Sequence, residues 1–168
     1  MKFIIYSVFG YFIECIYTSA IEKKINYKRG LLMGPYCPIY GLTLSATNKI
    51  IESNLCYIWK VIIICLVVFF IEYGTSLLLE KIFHRKWWDY SKKKYNLNGR
   101  VCLENIVIFI IGALFIGVKI NPLFNFIFNI DDGIFIVIVF LLFIIFMIDC
   151  FFSIKKYYHT RYYQIKLN

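Results

Sequence analysis

Apolar stretches of near-constant length alternate with short connections along this chain, at about 3–21, 31–50, 57–80, 101–118 and 133–154. A helix rising 1.5 Å per residue needs about 20 residues to cross ~30 Å of hydrocarbon. The pattern therefore predicts an all-α, polytopic transmembrane bundle of about five spans. Residues 1–168 read as one transmembrane domain, because nothing between the stretches is long enough for a soluble unit. The third stretch, Tyr57 to Glu80, and the fifth, Gly133 to Ile154, are unmistakable as spans. The second is interrupted, with Gly34, Pro35, Pro38 and Gly41 falling inside it.

Four carboxylates break the apolar pattern from within: Glu14, Glu72, Glu104 and Asp149. An ionised acid at a helix centre costs roughly 2.5–3.5 kcal/mol on insertion scales, so such groups face a bundle interior or a wet cavity. Gly10, Glu14 and Thr18 share one helical stripe. So do Glu72, Ser76 and Glu80, and Asp149 with Ser153 repeats the spacing. Tyr36, in the broken second stretch, and Asn105, beside Glu104, join the candidates for a substrate or ion pathway.

Charge decides the expected orientation. Lys23, Lys24, Lys28 and Arg29 oppose Glu22 after the first stretch. Seven bases oppose Asp89 in 81–100, and Lys155, Lys156, Arg161 and Lys166 lie in the tail. The other connections are poor in base, with Glu52 in one and Lys119, Asp131 and Asp132 in the other. Bases are retained on the cytoplasmic side, so the alternation predicts five crossings with the N-terminus out and the C-terminus in. On that topology all four acids fall roughly 6–12 Å inside the cytoplasmic boundary, in one layer. The Gly34-Pro35 and Pro38 breaks fall at the same depth, where freed backbone groups need protein or water as partners.

Composition agrees: 61% of residues are hydrophobic and 17% charged, against about 45–50% and 25% in soluble domains. The net charge of +9 belongs to segments facing anionic headgroups, which argues for a lipid bilayer as partner and against nucleic acid. Six cysteines without a CxxC pair, and only His84 and His159 beside them, give no metal-ligand spacing. No metal and no cofactor is expected. The N-terminal stretch reads as an N-out span rather than a cleaved signal, since Glu14 interrupts it and the heavier positive charge follows it.

The connection at 81–100 holds the other concentration of polar and aromatic residues. Trp87 and Trp88 suit interfacial anchoring. Asp89, Tyr90, Asn96, Asn98 and Arg100 suit a lid or docking surface over the acids, and Asn98-Gly99 suits a tight turn that delivers Arg100 to the fourth span. Arg29 and Arg100 each open a span on the inner side and can reach a carboxylate bidentately. Glu14–Arg29 and Glu104–Arg100 are accordingly weighed as structural staples against a transport role, and Glu72 lies furthest from any base.

These motifs resemble a family of small bacterial membrane proteins, the CmpB-like, type IV group of ABC-transporter permeases. The resemblance rests on Gly10-Tyr11 with Glu14, Arg29-Gly30, and Gly34-Pro35-Tyr36-Cys37-Pro38-Ile39-Tyr40-Gly41. It continues through Glu72-Tyr73, Ser76, Glu80-Lys81, Trp87-Trp88-Asp89-Tyr90-Ser91, Asn96-Leu97-Asn98-Gly99-Arg100 and Cys102-Leu103-Glu104-Asn105, to Asp149 with Ser153. It covers about residues 3 to 153 and implies a permease-like subunit of the plasma membrane.

No GxxxxGK[ST] occurs in the sequence, so an ATP-binding-cassette ATPase would be a separate chain docking on the inner face. Five spans are few for a complete path, so a homo-oligomer or second membrane subunit is expected. Two other readings stand beside this one. The acids could serve an enzyme acting on a lipid-linked substrate, although no catalytic motif is present. Alternatively, the chain is a non-catalytic membrane scaffold.

Overall fold

The computed structural model describes residues 2–25, 30–123 and 133–166, with side chains described for these except Ile21 and 159–166. Among the described residues five α-helices carry the fold: α1 (Lys2–Glu22), α2 (Pro38–Glu52), α3 (Tyr57–Phe83), α4 (Leu103–Phe115) and α5 (Gly133–Lys166). A π turn, Ile116–Ile120, continues α4 as far as Leu123. Among the described residues four helical segments are long and apolar enough to cross a membrane: Lys2–Ala20, Tyr57–Phe83, Leu103–Leu123 and Gly133–Tyr158.

The second stretch departs from the expected span over 31–50. Its helix starts only at Pro38 and has 15 residues, a length of about 22 Å. The residue before a proline is disfavoured in the α region, and a proline at the first helical position lacks only an N–H that would be unpaired anyway. Residues 30–37 thus run without helix, and other elements take the backbone donors of Met33, Gly34 and Cys37. The Cys37 N–H donates to the Ser7 carbonyl at 2.9 Å.

Helix α2 then packs antiparallel along α1. Glu14 meets Tyr40 near one end, and Lys2 meets Glu52 near the other. Tyr6, Leu44, Ala113 and Ile116 form one core cluster across α1, α2 and α4, while Ile4, Tyr36 and Phe146 join α1 to α5. On α3 the buried positions Ile64, Val68, Glu72 and Ser76 recur every four residues as a single inward stripe. The opposite face presents Ile62, Leu66 and Phe70, as expected of a helix surrounded by lipid. Helix α5 touches the rest through a narrow seam, with Val139, Phe146 and Ser153 buried at intervals of seven residues. The predicted basic tail is the continuation of this helix.

The connection between α3 and α4 folds into a small hairpin, Asn96–Leu97 against Val101–Cys102, with Leu97 opposite Val101. Asn98 (φ 54°) and Gly99 (φ 69°) both take positive φ, as a type I′ turn requires. The Arg100 N–H closes the turn onto the Leu97 carbonyl at 3.0 Å. A Cβ on Gly99 would run into Asp89 Oδ1 and Ser91 Oγ, and an L side chain in the left-handed region costs about 1–2 kcal/mol more. Gly99→Ala is therefore expected to loosen the hairpin without unfolding the bundle. Limited proteolysis at Lys92, Lys93 and Lys94 checks this, and cleavage no faster than in the native chain would count against it.

Candidate functional site

Glu72 and Tyr90 form the centre of the polar interior at the hairpin end. Burial of the α3 stripe leaves Glu72 only 7% exposed. The segment 84–95 leads Tyr90 back under the hairpin, where its N–H donates to the Gly99 carbonyl at 2.8 Å. Its hydroxyl meets the Glu72 carboxylate and the Asn105 amide of α4. Burial pushes the Tyr90 hydroxyl above the ordinary tyrosine range, with the Glu72 charge adding to the shift. Tyr90 thus stays a neutral donor at physiological pH. Glu72 Oε2 and Asn105 Oδ1 are buried and meet no hydrogen-bond partner among the described residues. Two buried acceptors without donors would suit a cation or an N–H-bearing group.

Glu14 borders this centre from α1. The Tyr40 hydroxyl donates to its Oε2 at 2.7 Å, and its charge is felt at both Glu72 and Tyr90. Gly10 makes the approach possible, since a Cβ there would overlap the Tyr40 side chain. The expected Glu14–Arg29 pair cannot be placed, because Arg29 lies outside the described residues.

The other two acids leave the centre, so the expected single layer of four carboxylates divides. Glu104 points outward, its side chain 59% exposed and 2.7 Å from Lys93 Nζ. That hydrogen bond raises the lysine's pKa above its ordinary value. Asp149 accepts the Met33 N–H at 3.1 Å, the Gly34 N–H at 2.7 Å and the Ser153 hydroxyl at 2.9 Å. It serves the broken second stretch by taking donors that no helix uses. Ser153 is fully buried beside it.

Arg100 also takes a different partner from the one expected. Its Nη1 donates to Glu80 Oε2 at 2.6 Å, not to Glu104. Its guanidinium lies 5.8 Å from the Tyr73 ring centre, and Asn98 Nδ2 donates to the Tyr73 hydroxyl at 3.1 Å. Turn and arginine together clamp the hairpin onto α3. Trp88 Nε1 donates to the Arg100 carbonyl at 2.8 Å, and Trp87 stacks edge-on against Phe83 and Tyr157. Asn96 works within the loop, donating to the Lys93 carbonyl and accepting the Gly99 N–H. Hydrogen bonds from the Ser91 hydroxyl and N–H hold the Asp89 carboxyl below the usual carboxylate range.

Of the remaining candidates, Ser76 lies buried one turn beyond Glu72. Tyr36 is in the apolar cluster, edge-on to Phe146 at 5.6 Å, and lies apart from the Glu14–Glu72 centre. Tyr40 was not legible as a site residue. Its one signal is its place two residues after Pro38, where α2 begins opposite Glu14. Nor were Tyr6, Asn48 and Asn121, which gather with Glu52 at the other end of α1 and α2.

Residues 1–154 match the family described as "Putative ABC-transporter type IV". No solved structure matches the chain.

Proposed function

Because the chain belongs to the ABC-transporter type IV family, we propose that it is the permease-like membrane component of an ABC-type transporter in the plasma membrane. Its polar centre in the cytoplasmic half of the bundle would take a cationic or amine substrate. The observation that carries this reading is Glu72, an acid buried on the stripe of Ile64, Val68 and Ser76 with one carboxylate oxygen free of partners among the described residues. Desolvating a carboxylate without full pairing is costly, so its retention argues for a group that completes it.

In the proposed topology the chain crosses five times from N-out to C-in, with α2 and the extended 30–37 segment together making the second crossing. The hairpin then faces the cytoplasm, where a separate ATP-binding-cassette ATPase would dock on 84–102. That location supplies a coupling route. A partner that pulls the hairpin off its Arg100–Glu80 and Asn98–Tyr73 contacts moves Tyr90 relative to Glu72, because the Tyr90 N–H is bonded to the Gly99 carbonyl of the same hairpin. A second copy or a second membrane subunit would complete the path against the largely uncovered faces of α5.

The test is purification of the tagged chain from its native membrane in mild detergent, with mass spectrometry of the co-eluting proteins. A stoichiometric ABC ATPase is the expected result, lost when the Arg100 clamp is removed by Arg100→Ala. Elution without any ATPase would refute the transporter reading.

A further inference from the structure

At the end of the bundle away from the hairpin, α1, α2 and the π turn converge on Glu52. The Tyr6 hydroxyl donates to Asn121 Oδ1 at 2.7 Å, and Asn121 Nδ2 donates to Glu52 Oε1 at 3.3 Å. Asn48 Nδ2 donates to the same oxygen at 2.8 Å. This arrangement determines which way the Asn48 amide faces. Its NH2 is turned to the carboxylate, which leaves its Oδ1 toward Gly117. There, in a residue 4% exposed, it meets no donor among the described residues.

The π turn places a carbonyl that lacks its in-register donor at the same place. Within Ile116–Ile120 the register is i to i+5, as the Asn121 N–H bonded to the Ile116 carbonyl shows. The next donor in that register would be residue 122, which is Pro122 and has no N–H. The Gly117 carbonyl therefore lacks its π-helical partner. Gly117 also lies against Asn48, since a Cβ on it would stand 3.7 Å from Asn48 Oδ1. One turn further along the α2 stripe, Ser45 Oγ is likewise buried without a partner among the described residues.

We propose that Asn48 Oδ1, the Gly117 carbonyl and Glu52 form a site for a monovalent cation, either an alkali ion or a primary ammonium. The set consists of oxygen acceptors with Glu52 as its one carboxylate among the described residues. Neutral oxygens around a single negative charge suit +1, whereas dications draw on more carboxylates and a fuller oxygen shell. Lys2 is the competing charge. Its ammonium stands 3.7 Å from Glu52 Oε1 on a side chain 32% exposed, a loose pair that a diffusible cation can displace. The nearby Lys60 ammonium is engaged by the Ile51 carbonyl at 2.7 Å. This site is separate from the Glu72 centre and does not depend on an ATPase.

The test is calorimetric titration of the full chain in mild detergent with sodium, potassium or methylammonium chloride, ionic strength being held with choline chloride. Saturable binding of at least one of the three is expected, and the pattern among them separates an alkali ion from an ammonium. Glu52→Gln should weaken binding roughly tenfold or more. Lys2→Met removes the competitor from a partly exposed position and should tighten binding severalfold. The proposal is overturned by the absence of saturable binding, by a Lys2→Met chain that binds no more tightly, or by binding that follows Glu72 and not Glu52. Should Glu52→Gln fail to fold, the Lys2→Met result alone decides.

Discussion

Glu72→Gln is expected to reduce transport at least tenfold while the protein continues to accumulate in the membrane. Glutamine has the same shape as glutamate and keeps an oxygen for the Tyr90 hydroxyl, so the α3 stripe and the hairpin above it should hold their packing. The negative charge beside the unpartnered Asn105 oxygen is what disappears. Hydrogen bonds to charged groups contribute about 1.5–3 kcal/mol, equivalent to roughly 10- to 150-fold in affinity. The readout is flux into proteoliposomes holding the reconstituted complex, beside the yield of the variant in the membrane fraction. Glu104→Gln is the comparison, since that side chain faces outward onto Lys93 and its exposed ion pair contributes at most ~1 kcal/mol. Unchanged flux would remove Glu72 from the mechanism, and loss of the protein itself would make its carboxylate structural.

The second large effect concerns the contact that brings Glu14 to the centre. Gly10→Ala and Gly41→Ala should each strongly reduce the yield of folded protein, whereas Gly74→Ala and Gly112→Ala should not. A Cβ at Gly10 would overlap the Tyr40 side chain at its root. At Gly41 it would strike Ser7 Oγ and stand 2.7 Å from the Phe3 carbonyl oxygen. Neither obstacle is the far end of a flexible chain, so α1 and α2 must separate. Overpacking of this kind costs about 1–3 kcal/mol, a sizeable part of a total stability of about 5–15 kcal/mol. At Gly74 and Gly112 a Cβ would meet nothing within 4 Å. Fluorescence-detected size-exclusion chromatography of the four variants separates the pairs, and equal profiles would contradict the close α1–α2 packing. The Gly10→Ala protein that does fold should also have a weakened Tyr40–Glu14 hydrogen bond.

Much of the architecture was legible from local chemistry. The lengths of the apolar runs located α1, α3, α4 and the start of α5 to within a few residues, because crossing hydrocarbon sets a length that composition reveals; α5 continues to Lys166, past the expected end at 154. The prolines flagged the weakness of the second stretch, although periodicity alone extended its helix seven residues too early. Asn98-Gly99 announced the turn, because both residues tolerate positive φ. The stripe Glu72–Ser76 announced the inward face of α3. Tyr90 was legible only as a loop residue, since nothing local shows that a loop side chain folds back under its own hairpin. The π turn had one local signal, Pro122, whose effect on the preceding turn depends on what packs there.

The sequence by itself determined the helical class, the run lengths, the turn and the presence of acids that hydrocarbon would not hold alone. These follow from covalent geometry, intrinsic conformational preference and transfer energy, all of which act within a few residues. Tertiary structure alone decided which partner each charge takes: Tyr90 at Glu72, Tyr40 at Glu14, Glu80 at Arg100, Lys93 at Glu104, and the Met33 and Gly34 backbone at Asp149. Several donors lay within chain reach of each carboxylate. The choice among them depends on how closely helices far apart in sequence can approach, and at Gly10 that approach is governed by the absence of a single carbon atom.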